Sequence, residues 1–110
     1  MKLPMQWFWV LSAVDGRLGL THLLTVLLGL GRDARDGAGY VFCNRAGNRL
    51  RVVIVDASGV WLCHRRLHRG SFVRPKLGDE VLRLTPEQMR WLCMGVDWQR
   101  LSAADVPMLV

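Results

Sequence analysis

The sequence has few cysteines and no cysteine motif. Cys43, Cys63 and Cys93 are odd in number and form no Cys-x-x-Cys pair, which argues against the disulfide framework of a small secreted domain and favours a reducing, cytoplasmic setting. A metal site would have to combine these residues with His64 and His68. Because Cys63 and His64 are adjacent, they point to opposite faces of a strand, and we expect no metal and no cofactor.

Long hydrophobic runs are also missing. The apolar stretch near the start, residues 5–11, is much shorter than the about 20 residues that cross a bilayer. Pro4, Gln6 and Ser12 interrupt it too often for a signal peptide. We therefore expect no association with a membrane.

Catalytic motifs are absent as well. Ser58 and Ser71 lack the sharp strand-to-helix turn of a hydrolase nucleophile. The pair Gly29-x-Gly31 follows a predicted helix, whereas a phosphate-binding loop precedes one. The carboxylates form no tight cluster at a predicted strand end. The sequence thus indicates a binding protein and not an enzyme.

Arginine is what the sequence has in excess. Its 15 cationic residues oppose 9 acidic ones, and only Lys2 and Lys76 among the 15 are lysines. Arginine presents a planar fork of donors that fits phosphate. A GC-rich genome also favours arginine over lysine, so the ratio alone leaves its cause open. A chain of 110 residues is expected to form one domain, residues 1–110.

Hydrophobic periodicity predicts an N-terminal strand and helix. Residues 7–14 are aromatic and partly β-branched, which is typical of a strand, and Asp15 is a suitable N-cap for a helix over about 16–30. Gly29 and Gly31 are expected to end that helix. Its apolar stripe consists of Leu20, Leu23, Leu24, Leu27 and Leu28.

A compact β pattern follows a polar, glycine-rich loop at 32–39. Strands are predicted over 40–44, 49–56 and 60–67. The short turns between them require antiparallel pairing, so these strands form a three-stranded meander. Another short strand is predicted over 80–84.

The C-terminal part of the sequence predicts a second helix. Thr85 is a good N-cap, Pro86 suits the first helical position, and Gln88 completes a capping box. The helix is expected to reach about Met94 and to stop at Gly95. The expected core anchors are Trp61, Trp91 and Trp98. The fold class is therefore α+β: an antiparallel β-meander of three to five strands, packed with an N-terminal helix and a C-terminal helix.

Cationic residues concentrate on the meander and the segment that follows it. Eight of the 15 lie between Tyr40 and Lys76, where Asp56 is the one acidic residue. Alternation places Arg49 and Arg51 on one face, and antiparallel pairing brings them beside the end of the third strand, so one end of the sheet should carry a cationic cluster. The predicted nucleic-acid-binding residues are Arg45, Arg49, Arg51, Arg65, Arg66, Arg69, Arg74 and Lys76.

Two interpretations of this cluster stay open at the level of charge. It suits contact with the phosphate backbone of DNA or RNA, which would make the affinity salt-dependent. It equally suits a solvated sheet end that keeps a half-apolar protein soluble. No helix-turn-helix or zinc-finger spacing accompanies the arginines, so no recognition of bases is predicted.

Several motifs resemble those of a known family. Asp15-x-Arg17-x-Gly19 is similar to the start of the family's N-terminal helix, although Leu18 stands where the family has lysine. Further matching pieces are Arg66-Leu67, Arg69-Gly70, Phe72, Pro75 and Gly95-Val96-Asp97-Trp98-Gln99-Arg100. Over residues 15–100 the chain resembles the Orf2 or TnpB accessory proteins of insertion sequence sixty-six type transposable elements, which are unrelated to the RNA-guided nuclease also called TnpB. Residues 1–14 and 101–110 depart from the pattern and are expected to be divergent or loosely ordered.

The resemblance implies an accessory role in DNA transposition beside a separate, larger transposase, with no catalytic residues. DNA, either element ends or non-specific sequence, is the partner usually supposed for the family. The alternative is a protein-interaction module that docks on the transposase or self-associates. The apolar run Trp7-Phe8-Trp9 motivates this alternative, because a small domain is not expected to bury it fully. The oligomeric state stays open.

Overall fold

A computed structural model describes residues 3–10, 19–74 and 81–95 of the chain. Its described part has the predicted α+β fold, with an N-terminal helix, a C-terminal helix and a five-stranded sheet. In chain order the elements are β1 (Trp7–Val10), α1 (Leu20–Gly29), β2 (Gly39–Cys43), β3 (Arg49–Val55), β4 (Val60–Arg66), β5 (Val81–Leu84) and α2 (Pro86–Cys93), with a short 3-10 turn at Ala34–Asp36 before β2.

The sheet has the strand order β4-β3-β2-β1-β5. Strands β2, β3 and β4 pair antiparallel, which confirms the predicted meander. Strand β1 pairs parallel with β2 and antiparallel with β5. A parallel pair needs a crossover connection, and the segment that contains α1 provides it. The insertion of β1 between β2 and β5 is a feature that the sequence pattern did not predict.

Both faces of the sheet are covered. One face contributes Trp9, Val41 and Val52 to a core that also contains Met89 and Leu92 of α2. The opposite face contributes a second core, in which Val10, Phe42 and Val53 meet Leu23 and Leu27 of α1. A strand covered on both sides reads as an unbroken apolar run, which explains why all five residues of β2 are buried.

The tryptophans are distributed differently from the prediction. Trp7 and Phe8 are 8% exposed and Trp9 is 1% exposed, so the expectation that this aromatic run stays partly uncovered is wrong. Trp61, expected as a core anchor, is 46% exposed because it lies on the edge strand β4. Trp91, a residue of α2, is half-buried and packs against the core that this helix covers. Trp98 lies outside the described residues.

Helix α1 packs through a narrower stripe than the sequence predicted. Leu23 and Leu27 are fully buried, whereas Leu28 is 68% exposed. The helix ends as predicted: Gly31 has φ +75°, and the Arg32 N–H donates to the Leu27 carbonyl at 2.9 Å. The start differs from the prediction of about residue 16: α1 begins at Leu20, and Gly19 is its N-cap with an extended backbone (φ −82°, ψ 176°). The predicted N-cap, Asp15, lies outside the described residues.

Neighbouring leucines of α1 give a matched test of this packing. Replacing Leu27 by alanine should lower the free energy of unfolding by about 2–5 kcal/mol, because it empties a buried site. The same change at Leu28 should alter it by less than about 0.5 kcal/mol, since that side chain is exposed. Urea unfolding of the two variants measures the difference, and equal losses would contradict the orientation of the helix.

Helix α2 begins with the predicted capping box. The Gln88 N–H donates to Thr85 Oγ1 at 3.1 Å, and the Thr85 N–H donates to Gln88 Oε1 at 2.9 Å. Gly95 follows the helix with φ +76°, a conformation that suits glycine at a helix end. No helix among the described residues has the length and apolar character needed to cross a bilayer.

Tyr40 forms a polar contact at the start of β2. Its ring stacks on Phe8 with centroids 5.6 Å apart, the Arg32 guanidinium lies 4.4 Å from the centroid of the Phe8 ring, and the Tyr40 hydroxyl donates to Asp36 Oδ2 at 2.5 Å. Burial and then the bond to Asp36 raise the pKa of Tyr40 to about 12. Both causes disfavour the phenolate.

The titration of Tyr40 is directly observable because the chain has one tyrosine. Absorbance of tyrosinate should rise with a midpoint near pH 12 in the folded chain, against about 10 in the unfolded chain. Since the folded pKa is the higher one, the neutral phenol stabilises the fold fully below pH 10, and this contribution disappears as the pH rises through 12. Asp36→Asn should lower the midpoint, and a folded wild-type midpoint at 10 would contradict the contact.

Candidate nucleic-acid interface

The arginines of β3 and β4 are brought together by strand register. Arg49 pairs with Arg66, and Arg51 pairs with His64, which confirms the expected antiparallel neighbours. Directly opposed residues have Cα atoms about 4.5–5.5 Å apart. By alternation these four side chains share the sheet face that α1 covers, at the end of the strands.

Two connections extend the same end of the sheet. The β2–β3 turn carries exposed Arg45, and the chain after β4 carries exposed Arg69. They are tied together, because the Leu67 N–H donates to the Asn48 carbonyl at 3.0 Å and the Phe72 N–H donates to the Gly47 carbonyl at 2.7 Å. The exposed Arg45, Arg49, Arg66 and Arg69 define what we call the cationic end.

Asn44 organises the β2–β3 turn. Its Oδ1 accepts the backbone N–H groups of Asn48 and Arg49, each at 3.1 Å, and its Nδ2 donates to Asn48 Oδ1 at 2.9 Å. No role was predicted for Asn44. An asparagine that follows a strand and precedes a glycine turn was the available signal, since its side chain readily bonds to nearby backbone.

Three of the predicted arginines are either buried or hydrogen-bonded to backbone carbonyls of the chain. Arg51 is buried, with 7% exposure. The Arg65 Nε donates to the Cys93 carbonyl at 3.0 Å, at the C-terminus of α2, where the helix dipole favours a cation. The Arg74 Nη2 donates to the carbonyls of Asn44, at 2.6 Å, and Arg45. Predicted Lys76 lies outside the described residues.

The described carboxylates lie at the opposite end of the sheet. Asp36 precedes β2, Asp56 follows β3 and Glu87 follows β5, and the strand register places these three positions at the same end of the sheet. Asp33 pairs with Arg35, and Glu87 pairs with Arg90. Six residue steps along β3 separate the two ends by about 20 Å. The described carboxylates therefore lie away from the cationic end, and two of them are paired with arginines of their own.

The Asp56 carboxylate is held by its own turn. It accepts the backbone N–H groups of Ser58 and Gly59 at 2.8 and 2.9 Å, and the Trp61 Nε1–H at 3.2 Å. The pKa of Asp56 is lowered, mainly because the backbone N–H and the hydroxyl of Ser58 donate hydrogen bonds to its carboxylate. The hydrogen bonds of this carboxylate are thus made within its own turn, at the end of the sheet opposite the cationic end.

A recess of about 290 Å³ opens at the arginine-rich end of the β3–β4 pair. Its lining combines guanidinium groups, one imidazole and one amide, so it offers hydrogen-bond donors suited to an anion. The lining residues are Asn44, Arg49, Leu50, Arg51, His64, Arg65 and Arg66.

The cysteines are thiols in three environments. Cys43 is buried, Cys93 is half-buried and Cys63 is exposed. Burial raises the pKa of the Cys43 and Cys93 thiols, against the opposing influence of Arg74 and Arg65 respectively. Among the described residues, no group of three or more His, Cys, Asp or Glu side chains could hold a metal ion.

Comparison with known proteins identifies the family. The family model described as "IS66 Orf2 like protein" matches residues 5–103, so the likeness begins ten residues earlier than the motifs indicated and includes β1. Two proteins of Sinorhizobium fredii (strain NBRC 101917 / NGR234) are similar. "Uncharacterized protein y4hO" is 34% identical over 83% of this chain and 81% of its own length, and "Uncharacterized protein y4jC" is 33% identical over 84% and 80%.

No solved structure gives a significant match to this chain. The family assignment therefore rests on sequence, over most of the chain and all of the described strands and helices. The chain belongs to the IS66 Orf2-like family, a family of accessory proteins associated with transposition.

Proposed function

We propose that this chain is a DNA-contacting accessory factor of transposition, and that the cationic end is its phosphate-binding surface. The observation that carries the proposal is the direct pairing of Arg49 with Arg66 on neighbouring strands. Like charges placed directly opposite each other destabilise a sheet. A polyanion bound across the pair removes that repulsion, so this arrangement favours a phosphate ligand over bare solvent.

The surroundings of the pair support the same proposal. Exposed Arg45 and Arg69 flank it from the two connections, and Asp56 follows the opposite end of β3, about 20 Å away along the strand. A field of one sign at one end of a molecule attracts a polyanion and orients it. The recess at this end is also lined by Arg51 and Arg65, and Arg74 donates to the backbone of the adjacent β2–β3 turn. Lys76 is the remaining member of the predicted set.

Contact with phosphates positions a protein on DNA without reading its sequence. The elements at the cationic end are strand ends and turns, and no described helix projects from it as a recognition helix does. We therefore propose sequence-independent contact with DNA, at element ends or elsewhere, in the bacterial cytoplasm. The larger transposase of the element would supply the chemistry.

A titration at two salt concentrations tests this function. The full chain is titrated into a labelled 30-base-pair duplex at about 50 and 200 mM salt, with fluorescence anisotropy as the readout. Four phosphate contacts predict a slope of about −3.6 in log K against log salt, which is roughly a 150-fold loss of affinity over that range. Absence of binding, or an affinity independent of salt, would contradict the proposal.

A second function, association with another protein chain, is favoured by a different surface from the one first expected. Trp7, Phe8 and Trp9 are buried in β1 and cannot provide a docking site. Val60 and Trp61 are 43% and 46% exposed on β4, which lies at the edge of the sheet. Self-association, and not docking on the transposase, would use this strand.

A further inference from the structure

Strand β4 is an exposed edge. It pairs with β3 on one side, and no other described strand lies on its outer side. Six of its seven residues are exposed, and Leu62 is half-buried. Edge strands of this length present a row of backbone donors and acceptors that readily pair with another strand.

The backbone groups that face outward can be assigned from the bonds at the ends of the strand pair. The Asp56 N–H donates to the Gly59 carbonyl at 2.9 Å, and the Leu67 N–H donates to the Asn48 carbonyl at 3.0 Å. Hydrogen-bonded pairs alternate along an antiparallel ladder. Trp61, Cys63 and Arg65 therefore direct their backbone groups to β3. The residues with outward backbone groups are Val60, Leu62, His64 and Arg66.

The charge on β4 is asymmetric along its length. Val60 and Trp61 are uncharged at the start, whereas Arg65 and Arg66 lie at the end. Parallel pairing with a second copy of β4 would oppose arginine to arginine, which is unfavourable. Antiparallel pairing places each arginine opposite the uncharged end of the other strand.

When two copies of β4 pair antiparallel, a residue whose backbone groups face outward must lie opposite a residue whose backbone groups also face outward. This condition restricts the possible registers. A two-fold axis at Leu62, Cys63 or His64 satisfies this condition. The axis at Cys63 pairs all seven residues of the strand, whereas the axes at Leu62 and His64 each leave two unpaired. The axis at His64 also opposes two imidazoles. Length therefore favours the axis at Cys63 over both alternatives, and the opposed imidazoles count further against the axis at His64.

We propose that β4 pairs antiparallel with β4 of a second copy of this chain, about a two-fold axis at Cys63. Arg66 then lies opposite the partner's Val60, and Arg65 lies opposite the partner's Trp61, where a guanidinium can stack on the indole. The two five-stranded sheets become one continuous sheet. This inference is independent of DNA binding, although Arg66 and the partner's Arg66 would be about 20 Å apart and could contact one duplex together.

Cross-linking tests the register. Facing Cys63 residues form a non-hydrogen-bonded pair with Cα atoms about 4.5 Å apart, within the range that a disulfide spans. In the Cys93→Ala variant, with Cys43 left buried, copper phenanthroline and dissolved oxygen should remove two electrons and two protons from the two thiols and give a disulfide-linked dimer. Cys63→Ser should abolish it.

A shifted cysteine controls for random collision. His64→Cys combined with Cys63→Ser and Cys93→Ala exposes a thiol on the same strand, but this position faces the partner's Leu62. It should cross-link at least tenfold more slowly than Cys63. Equal rates at the two positions, or faster linkage at residue 64, would overturn the proposed register.

Sedimentation tests the pairing without oxidation. The wild-type chain should sediment as a dimer at tens of micromolar, and His64→Pro should sediment as a monomer. Proline removes an N–H that faces outward and leaves the ladder to β3 intact. His64→Ala keeps that N–H and should stay dimeric, and far-UV circular dichroism confirms that both variants fold. A monomeric wild type, or a His64→Pro dimer as tight as wild type, overturns the proposal and leaves DNA contact unaffected.

Discussion

Replacing Arg49 and Arg66 together by glutamine should weaken binding to duplex DNA about 50-fold near 0.1 M salt. Each arginine that neutralises a phosphate contributes about 0.9 to the slope of log K against log salt, so the slope should fall by about 1.8. The residues are register partners at the cationic end, and their removal takes away the opposed pair that the proposed function depends on. Anisotropy titrations at several salt concentrations measure both quantities.

A matched pair of substitutions separates local contact from overall charge. Arg83→Gln with Arg90→Gln removes the same two charges from exposed positions on β5 and α2. This control should weaken binding by less than about threefold, because those side chains lie away from the proposed surface. If both pairs of substitutions reduced affinity equally, the effect would come from net charge and the assignment of the surface would be wrong.

Replacing Trp9 by alanine should lower the free energy of unfolding by about 3–5 kcal/mol. Trp9 is 1% exposed in β1 and contributes to the core beneath α2. A domain of this size has about 5–15 kcal/mol of stability in total, so the midpoint of thermal unfolding should fall by roughly 15 °C. Calorimetry measures the shift. Trp9→Phe, which keeps an aromatic ring in place, should lose less and remains measurable if the alanine variant fails to fold.

The same truncation at Trp61 provides the comparison. This side chain is 46% exposed on the edge strand, so Trp61→Ala should cost less than about 1 kcal/mol in dilute solution. A larger loss at Trp61 than at Trp9 would mean that β1 is not an interior strand. The sheet order would then have to be revised.

Local sequence patterns predicted the meander and the capping box of α2, because both depend on neighbours in the chain. Turn residues between short apolar runs fix antiparallel pairing, and Thr85 and Gln88 meet across a single helical turn. The partners of β1 could not be predicted in this way. Its pairing with β2 and β5 joins segments far apart in sequence, and an apolar strand of four residues carries no signal that specifies its neighbours.

The candidate site was predictable to a similar extent. Alternation and short turns correctly placed the Arg49 end of β3 beside the end of β4, and the residue-by-residue register, with Arg49 opposite Arg66 and Arg51 opposite His64, came from the structure. The burial of Arg51 was not predictable, because it depends on the layer that covers this face of the sheet. The bonds of Arg65 to Cys93 and of Arg74 to the β2–β3 turn were missed for the same reason. They join segments 28 and 30 residues apart, beyond the reach of strand periodicity.

Nuclear magnetic resonance of the arginine Nε–Hε groups gives the most direct test of the cationic end as the DNA contact. Each arginine reports separately as a short duplex is titrated into the isotopically labelled chain. Signals of Arg45, Arg49, Arg66 and Arg69 should shift together and saturate with one affinity, while those of Arg35, Arg83 and Arg90 stay in place. Shifts confined to the second group, or spread evenly over both, would contradict the account.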